Sequence, residues 1–225
     1  MDGFDLAFVR SGLMVFLLLV VSVALHEWGH AFVADLLGDD TPRNQGRVTL
    51  NPLVHIDLVG TVIFPLVMIF IFRGNFAPYG WGRPVVTNSS NFKHRRSYDI
   101  LATLAGSGAN FILAFVGVVI GAFLVPKQPD TAELLRLLIS VNITLGVFNL
   151  LPIPPLDGGY ILRHLVGMSE ETFISIARWS FLIFFLALYL EPVRIALNLV
   201  FNIAYMPFVY LCESINPGVA PLLFQ

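Results

Sequence analysis

The chain has 225 residues, 56% hydrophobic and 12% charged, with a mean hydropathy of +0.79 and a formal net charge of −2. An average soluble domain carries about 25% charged residues, so this composition excludes an ordinary soluble globule and fits an integral membrane protein. No basic block suits nucleic acid, and the single cysteine, Cys212, excludes an intrachain disulfide.

A helical crossing takes about 20 residues. The chain therefore has room for one all-α polytopic bundle of five or six membrane segments, expected as a single membrane-embedded domain over residues 1–225. Apolar segments fall near 8–37, 57–72, 99–125, 133–151, 172–190 and 192–212. The apolar run of the first starts after Arg10 and shows no clear small-residue cleavage site, so it reads as a retained span and not as a signal peptide. The 57–72 segment is short and contains Gly60 and Pro65. The loop at 73–98 is rich in Gly, Pro, Asn and aromatic residues. Within these connections Arg47–Leu50 and Arg83–Thr87 are expected as short membrane-associated strands, and the 74–90 stretch as a gate for water. Arg73, Arg83, Lys93, Arg95 and Arg96 crowd the 73–98 loop, whereas 126–132 carries only Lys127. The positive-inside rule places 73–98 in the cytoplasm. Trp81 and Tyr79 suit a membrane interface, as do His94 and His164.

The first span carries His26-Glu27-Trp28-Gly29-His30 directly after the apolar run Leu13–Leu25. Two histidines four apart lie about 40° apart on one helical face, so both imidazoles reach one ion. The adjacent Glu27 is placed to take a proton from water bound there. Such a pair also arises as an ordinary packing or capping arrangement. Inside an apolar span, however, each charged group costs about 2.5 kcal/mol or more, and three ionisable residues together demand a function.

A tetrahedral zinc site with an open position needs a third protein ligand. The candidates are Asp35, Asp39, Asp40, His55, Asp57 and Asp157. Asp35 lies about 140° around the axis from His30 and faces away. Asp39 and Asp40 follow Gly38, a helix stop, and read as surface turn residues. His55 and Asp57 open the 57–72 segment, where an interfacial capping role is as good a reading. Asp157 stands in Asn149-Leu150-Leu151-Pro152-Ile153-Pro154-Pro155-Leu156-Asp157-Gly158-Gly159. The prolines break the preceding helix and the glycines permit close backbone approach. A carboxylate at a broken membrane helix marks a functional site more often than a surface turn does.

Together, the H-E-x-x-H motif and the N-x-x-P-x-x-P-x-D-G pattern of Asn149–Gly158 resemble the site-2 protease family of intramembrane zinc metalloproteases. The resemblance extends through Gly46–Pro52 and His55-Ile56-Asp57 and covers most of the chain. It implies one Zn²⁺ held by His26, His30 and Asp157, with Glu27 as catalytic base. It also implies Asn149 as a substrate- or oxyanion-binding residue, with Asn142 a weaker candidate for which an interhelical hydrogen bond is the competing reading. Ala105-Gly106-Ser107-Gly108-Ala109-Asn110 matches the family's Ala-Gly-Pro-x-x-Asn except for serine in place of proline. The resemblance is to the family's small form, so no appended soluble domains are expected.

For His26 and Asp157 to meet at one depth, their helices must run parallel. An even number of reversals must then separate them, so 57–72 is expected to be re-entrant or to lie within the fold, not to cross fully. The expected function is hydrolysis of peptide bonds within or near transmembrane segments of other membrane proteins, in a multi-pass protein of a prokaryotic cell membrane. Its partners would be a transmembrane substrate and the lipid bilayer. A substrate helix must unwind to expose a carbonyl, and the 47–50 or 83–87 strand would receive it by strand addition. The alternatives are a catalytically silent binder of membrane helices and a metal transporter. Intact Glu27 argues against the first, and the clustering of polar residues at one point argues against the second.

Overall fold

The computed structural model describes residues 5–72 and 80–224. Arg73, Tyr79 and the first part of the expected gate lie outside the described residues. The first helix, α1 (Leu6–Leu36), starts where the Asp5 carboxylate accepts from the Ala7 amide at 3.0 Å. It stops before Gly38, whose φ of 102° is a left-handed conformation that suits glycine. A one-turn helix α2 (Thr41–Asn44) follows. Next come a 3₁₀ turn at Pro52–Val54 and a π-helical turn at Leu58–Ile63 that runs straight into α3 (Phe64–Phe70). The remaining helices are α4 (Arg95–Leu124), α5 (Ala132–Asn149), α6 (Asp157–Val166), α7 (Glu170–Ala187), α8 (Glu191–Ile215) and α9 (Ala220–Phe224).

Among the described residues four helices are long and apolar enough to cross a membrane: α1, α4, the 129–149 segment containing α5, and α8. Helix α7, over the expected 172–190 segment, carries Glu170, Glu171 and Arg178 within its 18 residues. The apolar stretch Leu58–Phe70 is shorter. Its 13 residues reach about 20 Å at 1.5 Å each, against a hydrocarbon core of about 30 Å. Large exposed apolar side chains, such as Leu17, Ile112, Phe123, Leu199 and Ile203, would be a liability in water. In a bilayer they form the lipid-facing surface.

Side-chain pairs fix the helix directions. Ser22 and His30 of α1 bond to Asn110 and Ala102 of α4, so these helices are antiparallel. Ser11 and Ser22 bond to Glu133 and Asn142 of α5, so α1 and α5 are parallel. Small residues allow the closest crossing: a Cβ on Gly29 would stand 2.6 Å from the Ala105 carbonyl oxygen. Helix α4 runs unbroken through Ser107, so the serine that replaces the family proline leaves the geometry helical. Away from the histidines, α4, α5, α8 and α9 close a core around Val118, Ile139, Ile143, Cys212 and Leu223.

Because α1 and α4 are antiparallel neighbours, residues 37–94 begin and end at the same end of the bundle. Within that stretch α3 reaches Gly12, against which Ile69 and Phe70 pack. By Gly80 the chain is back beside Leu19, and by Gly82 beside Glu27. The excursion is re-entrant, as the parity of the helices demands.

The structure corrects two expectations. Neither 47–50 nor 83–87 is a strand; among the described residues there is none. The 80–88 segment is extended, but its amides find isolated helix-end acceptors (Trp81 N–H to Gly60 O, 3.2 Å; Arg83 N–H to His55 O, 2.8 Å), so no ladder forms. Asp39 is not a surface turn residue. It is fully buried and accepts from the Thr41 amide and hydroxyl, the Asn88 amide and the Asn91 side chain, tying the far end of the extended segment to the end of α1.

Candidate metal centre

His26 and His30 project from one face of α1 toward α4 and the start of α6. Gly106 of α4 makes room for them, since a Cβ there would overlap the His30 ring and stand 2.8 Å from His26 Cε1. Asp157 arrives from the other side of the proline break. Helix α5 ends at Asn149 and α6 begins at Asp157. The seven intervening residues fold back so tightly that Cβ atoms on Gly158 and Gly159 would overlap the Leu150 and Leu151 carbonyls and the Pro154 backbone. Two adjacent glycines are what this turn requires. Asp157 thereby sits in the first turn of α6, where the helix dipole favours an anion.

The three donors form a small triangle. His26 Nε2 and His30 Nε2 are 3.1 Å apart, and Asp157 Oδ2 lies 3.3 Å from the first and 3.4 Å from the second. Both Nδ1 atoms already face acceptors, His26 that of Asn110 (Oδ1, 2.8 Å) and His30 that of Ala102 (backbone O, 2.8 Å). Each Nδ1 therefore carries its proton, and each Nε2 turns a lone pair inward. Asp157 Oδ2 is buried without a hydrogen-bond partner. Three such donors aimed at one point could hold a cation between them. Tetrahedral ligands at 2.0–2.1 Å are separated by about 3.4 Å, so the triangle fits zinc in size as well as in donor type. Among the described residues it is the one group of three His, Cys, Asp or Glu side chains gathered closely enough to hold an ion.

Glu27 is 8% exposed, and its titratable neighbours are His30, His26, Asp157 and Arg47. Gly82 lies directly on it, and a Cβ there would be 2.8 Å from Glu27 Oε1. Buried Arg47 holds this arrangement by donating to the carbonyls of Val54 and Arg83. Trp28 stacks on Phe32, away from the triangle, with ring centroids 4.8 Å apart.

The other candidates fall elsewhere. Asp35 pairs with Arg43 at 2.5 Å. Asp57 caps the π-helical turn, accepting from the Gly60 amide at 2.7 Å. His55 is 1% exposed and bonds through Nε2 to the Thr49 carbonyl at 2.9 Å. His164 faces Asp99 at 3.7 Å. Asn149, in the last turn of α5, gives its amide nitrogen to the Leu145 carbonyl at 2.9 Å. Asn142 is fully buried, with its amide engaged by Asn110, Ser22 and Leu138 inside the bundle. Sequence reading overlooked Gly82, Gly106 and Asn110 as site-forming residues. The last two stand in the small-residue motif of α4, whose placement over the histidines is a tertiary fact.

The model of peptidase family M50 matches residues 126–190, which include the broken helix. The protein named "Putative zinc metalloprotease YwhC" of Bacillus subtilis (strain 168) is 37% identical over 182 residues, 77% of this chain and 78% of YwhC. "Putative zinc metalloprotease Rip2" of Mycolicibacterium smegmatis is 31% identical over 180 residues, 79% of this chain and 67% of that protein. "Zinc metalloprotease MJ0392" of Methanocaldococcus jannaschii is 24% identical over 203 residues, 90% of this chain and 44% of that protein. No solved structure matches. Apolar crossing helices around a two-histidine, one-carboxylate cluster define a class, the multi-pass membrane zinc metalloproteases. Within it, the chain belongs to peptidase family M50, the site-2 protease family.

Proposed function

We propose that this protein, as one membrane-embedded unit over residues 1–225, hydrolyses peptide bonds within or near transmembrane segments of membrane-protein substrates. In this reading His26, His30 and Asp157 hold the zinc ion and Glu27 is the general base. The observation that carries the proposal is the triangle of inward-facing donors beside Glu27, built on helices long enough to cross a bilayer.

Zinc supplies Lewis acidity, making water nucleophilic near neutral pH and polarising the scissile carbonyl. Glu27 takes the proton from the attacking water and returns it to the leaving amine. Its carboxylate is held for this by Gly82 on one side and α1 on the other. The 80–88 segment offers extended backbone beside the base for an unwound substrate strand. The Asn149 amide nitrogen gives one of its two hydrogens to the Leu145 carbonyl, so its family role, donation to an oxyanion, would fall to the other. The centre's end of the bundle carries Arg43, Arg83, Lys93, Arg95 and Arg96. The opposite end carries Arg10, Lys127 and Arg136. The positive-inside rule turns the site toward the cytoplasm.

The test is reconstitution in proteoliposomes with a transmembrane substrate, with zinc content measured on the same samples. Wild type is expected to bind one zinc and cleave, and Asp157→Ala to lose both. Cleavage that survives in Asp157→Ala, or metal flux without cleavage, overturns the reading.

A further inference from the structure

The two histidines are oriented by different means. His30 gives its Nδ1 proton to a backbone carbonyl, that of Ala102, which no substitution removes. His26 gives its proton to a side chain, Asn110 Oδ1. An asparagine amide can present oxygen or nitrogen, so something must fix which end faces the imidazole.

A buried chain of hydrogen bonds does so. Asn110 Nδ2 faces the Ser22 carbonyl at 3.1 Å, which can only accept, so the amide nitrogen lies on that side and the oxygen faces His26. The same Nδ2 donates to Asn142 Oδ1 at 2.9 Å. Asn142 is fixed in turn, because its Nδ2 donates to the Leu138 carbonyl at 2.8 Å and to Ser22 Oγ at 2.9 Å. Ser22, Asn110 and Asn142 are each fully buried. In a low-dielectric interior an amide without partners is costly, yet this network leaves no amide oxygen or nitrogen idle. It joins α1, α4 and α5, the last leading directly to Asp157.

We infer that Asn110 is a positioning residue for the metal centre, and that Asn142 and Ser22 act through it by fixing its amide. Together they set the His26 tautomer that turns Nε2 toward the ion. This rests on the metal-ligand reading proposed above and extends it to residues outside the motif. Partners behind metal-bound histidines are typically worth about 10- to 100-fold in metal affinity.

The experiment compares wild type, His26→Ala, Asn110→Leu, Asn142→Leu and Asn142→Asp as full chains in detergent. Zinc affinity is read by chelator competition, and the ligand field by the visible spectrum of the cobalt-loaded protein. Asn110→Leu is expected to weaken zinc about 10- to 100-fold and to change the cobalt spectrum. Asn142→Leu should weaken it less. Asn142→Asp, whose neutral carboxyl still accepts from Asn110 and can give its proton to the Leu138 carbonyl while accepting from the Ser22 hydroxyl, should bind zinc like wild type. A purely structural role would lower the melting temperature of both Asn142 variants without separating their zinc affinities. The inference is overturned if Asn110→Leu binds zinc like wild type, or if the two Asn142 variants weaken it equally. Should Asn110→Leu not fold, the Asn142 pair decides. Wild-type zinc affinity in His26→Ala would instead overturn the metal-centre reading itself.

Discussion

His26 Nε2 and Asp157 Oδ2 stand 3.3 Å apart, one on an unbroken 31-residue helix and the other in the first turn of a ten-residue helix beyond a proline break. Their approach depends on parallel α1 and α5, on the turn that Gly158 and Gly159 permit, and on the space left by Gly106. A disturbance at any of these places should reach the metal centre.

Glu27 is assigned a proton-transfer role and no role in holding the ion. Glu27→Gln is therefore expected to keep its zinc and to lose cleavage by about 10²- to 10⁴-fold, the usual weight of general acid–base catalysis. Metal analysis paired with cleavage of a reconstituted substrate checks this. Wild-type cleavage by the variant would remove Glu27 from the mechanism.

Two glycines should separate binding from catalysis. A methyl at Gly106 overlaps His30 and crowds His26, so on the proposed ligand set Gly106→Ala should release zinc. A methyl at Gly82 presses first on Glu27. Gly82→Ala should keep zinc while turnover falls by about 10²-fold, the cost of a displacement on the order of 1 Å. Zinc loss in Gly82→Ala, or zinc retention in Gly106→Ala, would contradict the arrangement.

Asp39 anchors the far end of the extended segment through the Asn88 amide at 2.6 Å and the Asn91 side chain at 2.8 Å. Burial raises its pKa, but the hydrogen bonds from Thr41, Asn88 and Asn91 outweigh this and hold it below the ordinary carboxylate value. The contribution of a carboxylate with depressed pKa is present above its unfolded value of about 3.9 and lost as pH falls through the folded one. Asp39→Ala should lower stability by about 2–3 kcal/mol at neutral pH, since buried donors lose a charged acceptor. Thermal unfolding in detergent measures the loss, and limited proteolysis at 80–91 should rise with it. An unchanged midpoint would show that the anchor does not carry the loop.

His55 gives the opposite end of that segment a pH dependence. Burial pushes its pKa below the usual 6.5; the bond to the Thr49 carbonyl works against this, and the nearby Arg47 charge reinforces it. Because the folded pKa is depressed, acidification through about pH 6.5 protonates the unfolded chain first and drains stability. The melting temperature should thus fall between about pH 7.5 and pH 5.5 in wild type. The fall should be smaller in His55→Gln, which keeps a nitrogen donor for Thr49. Equal falls in the two proteins would exclude His55 as the source.

Much of this protein is written locally. Composition and apolar run length determine a multi-pass helical membrane protein, because backbone polar groups in lipid must be satisfied within the segment. The four-residue spacing of His26 and His30 determines that they share a face. The prolines and glycines around Asp157 determine the break that carries it. Once His26 and Asp157 are taken to meet at one depth, helix parity keeps the 57–72 segment from being a full crossing. Other features arise between elements. The extended 80–88 segment has strand-like residues but no neighbouring edge, so its amides go to His55 and Gly60 and no sheet forms. Asp39 follows a helix-stopping glycine as surface residues do, yet it is buried because residues 88–91 fold back over it. Asn110 orients His26 only because α1 and α4 are antiparallel at that register. Periodicity and spacing report which face a side chain occupies. What covers that face, and hence which hydrogen bonds and which metal geometry result, is decided when the helices pack.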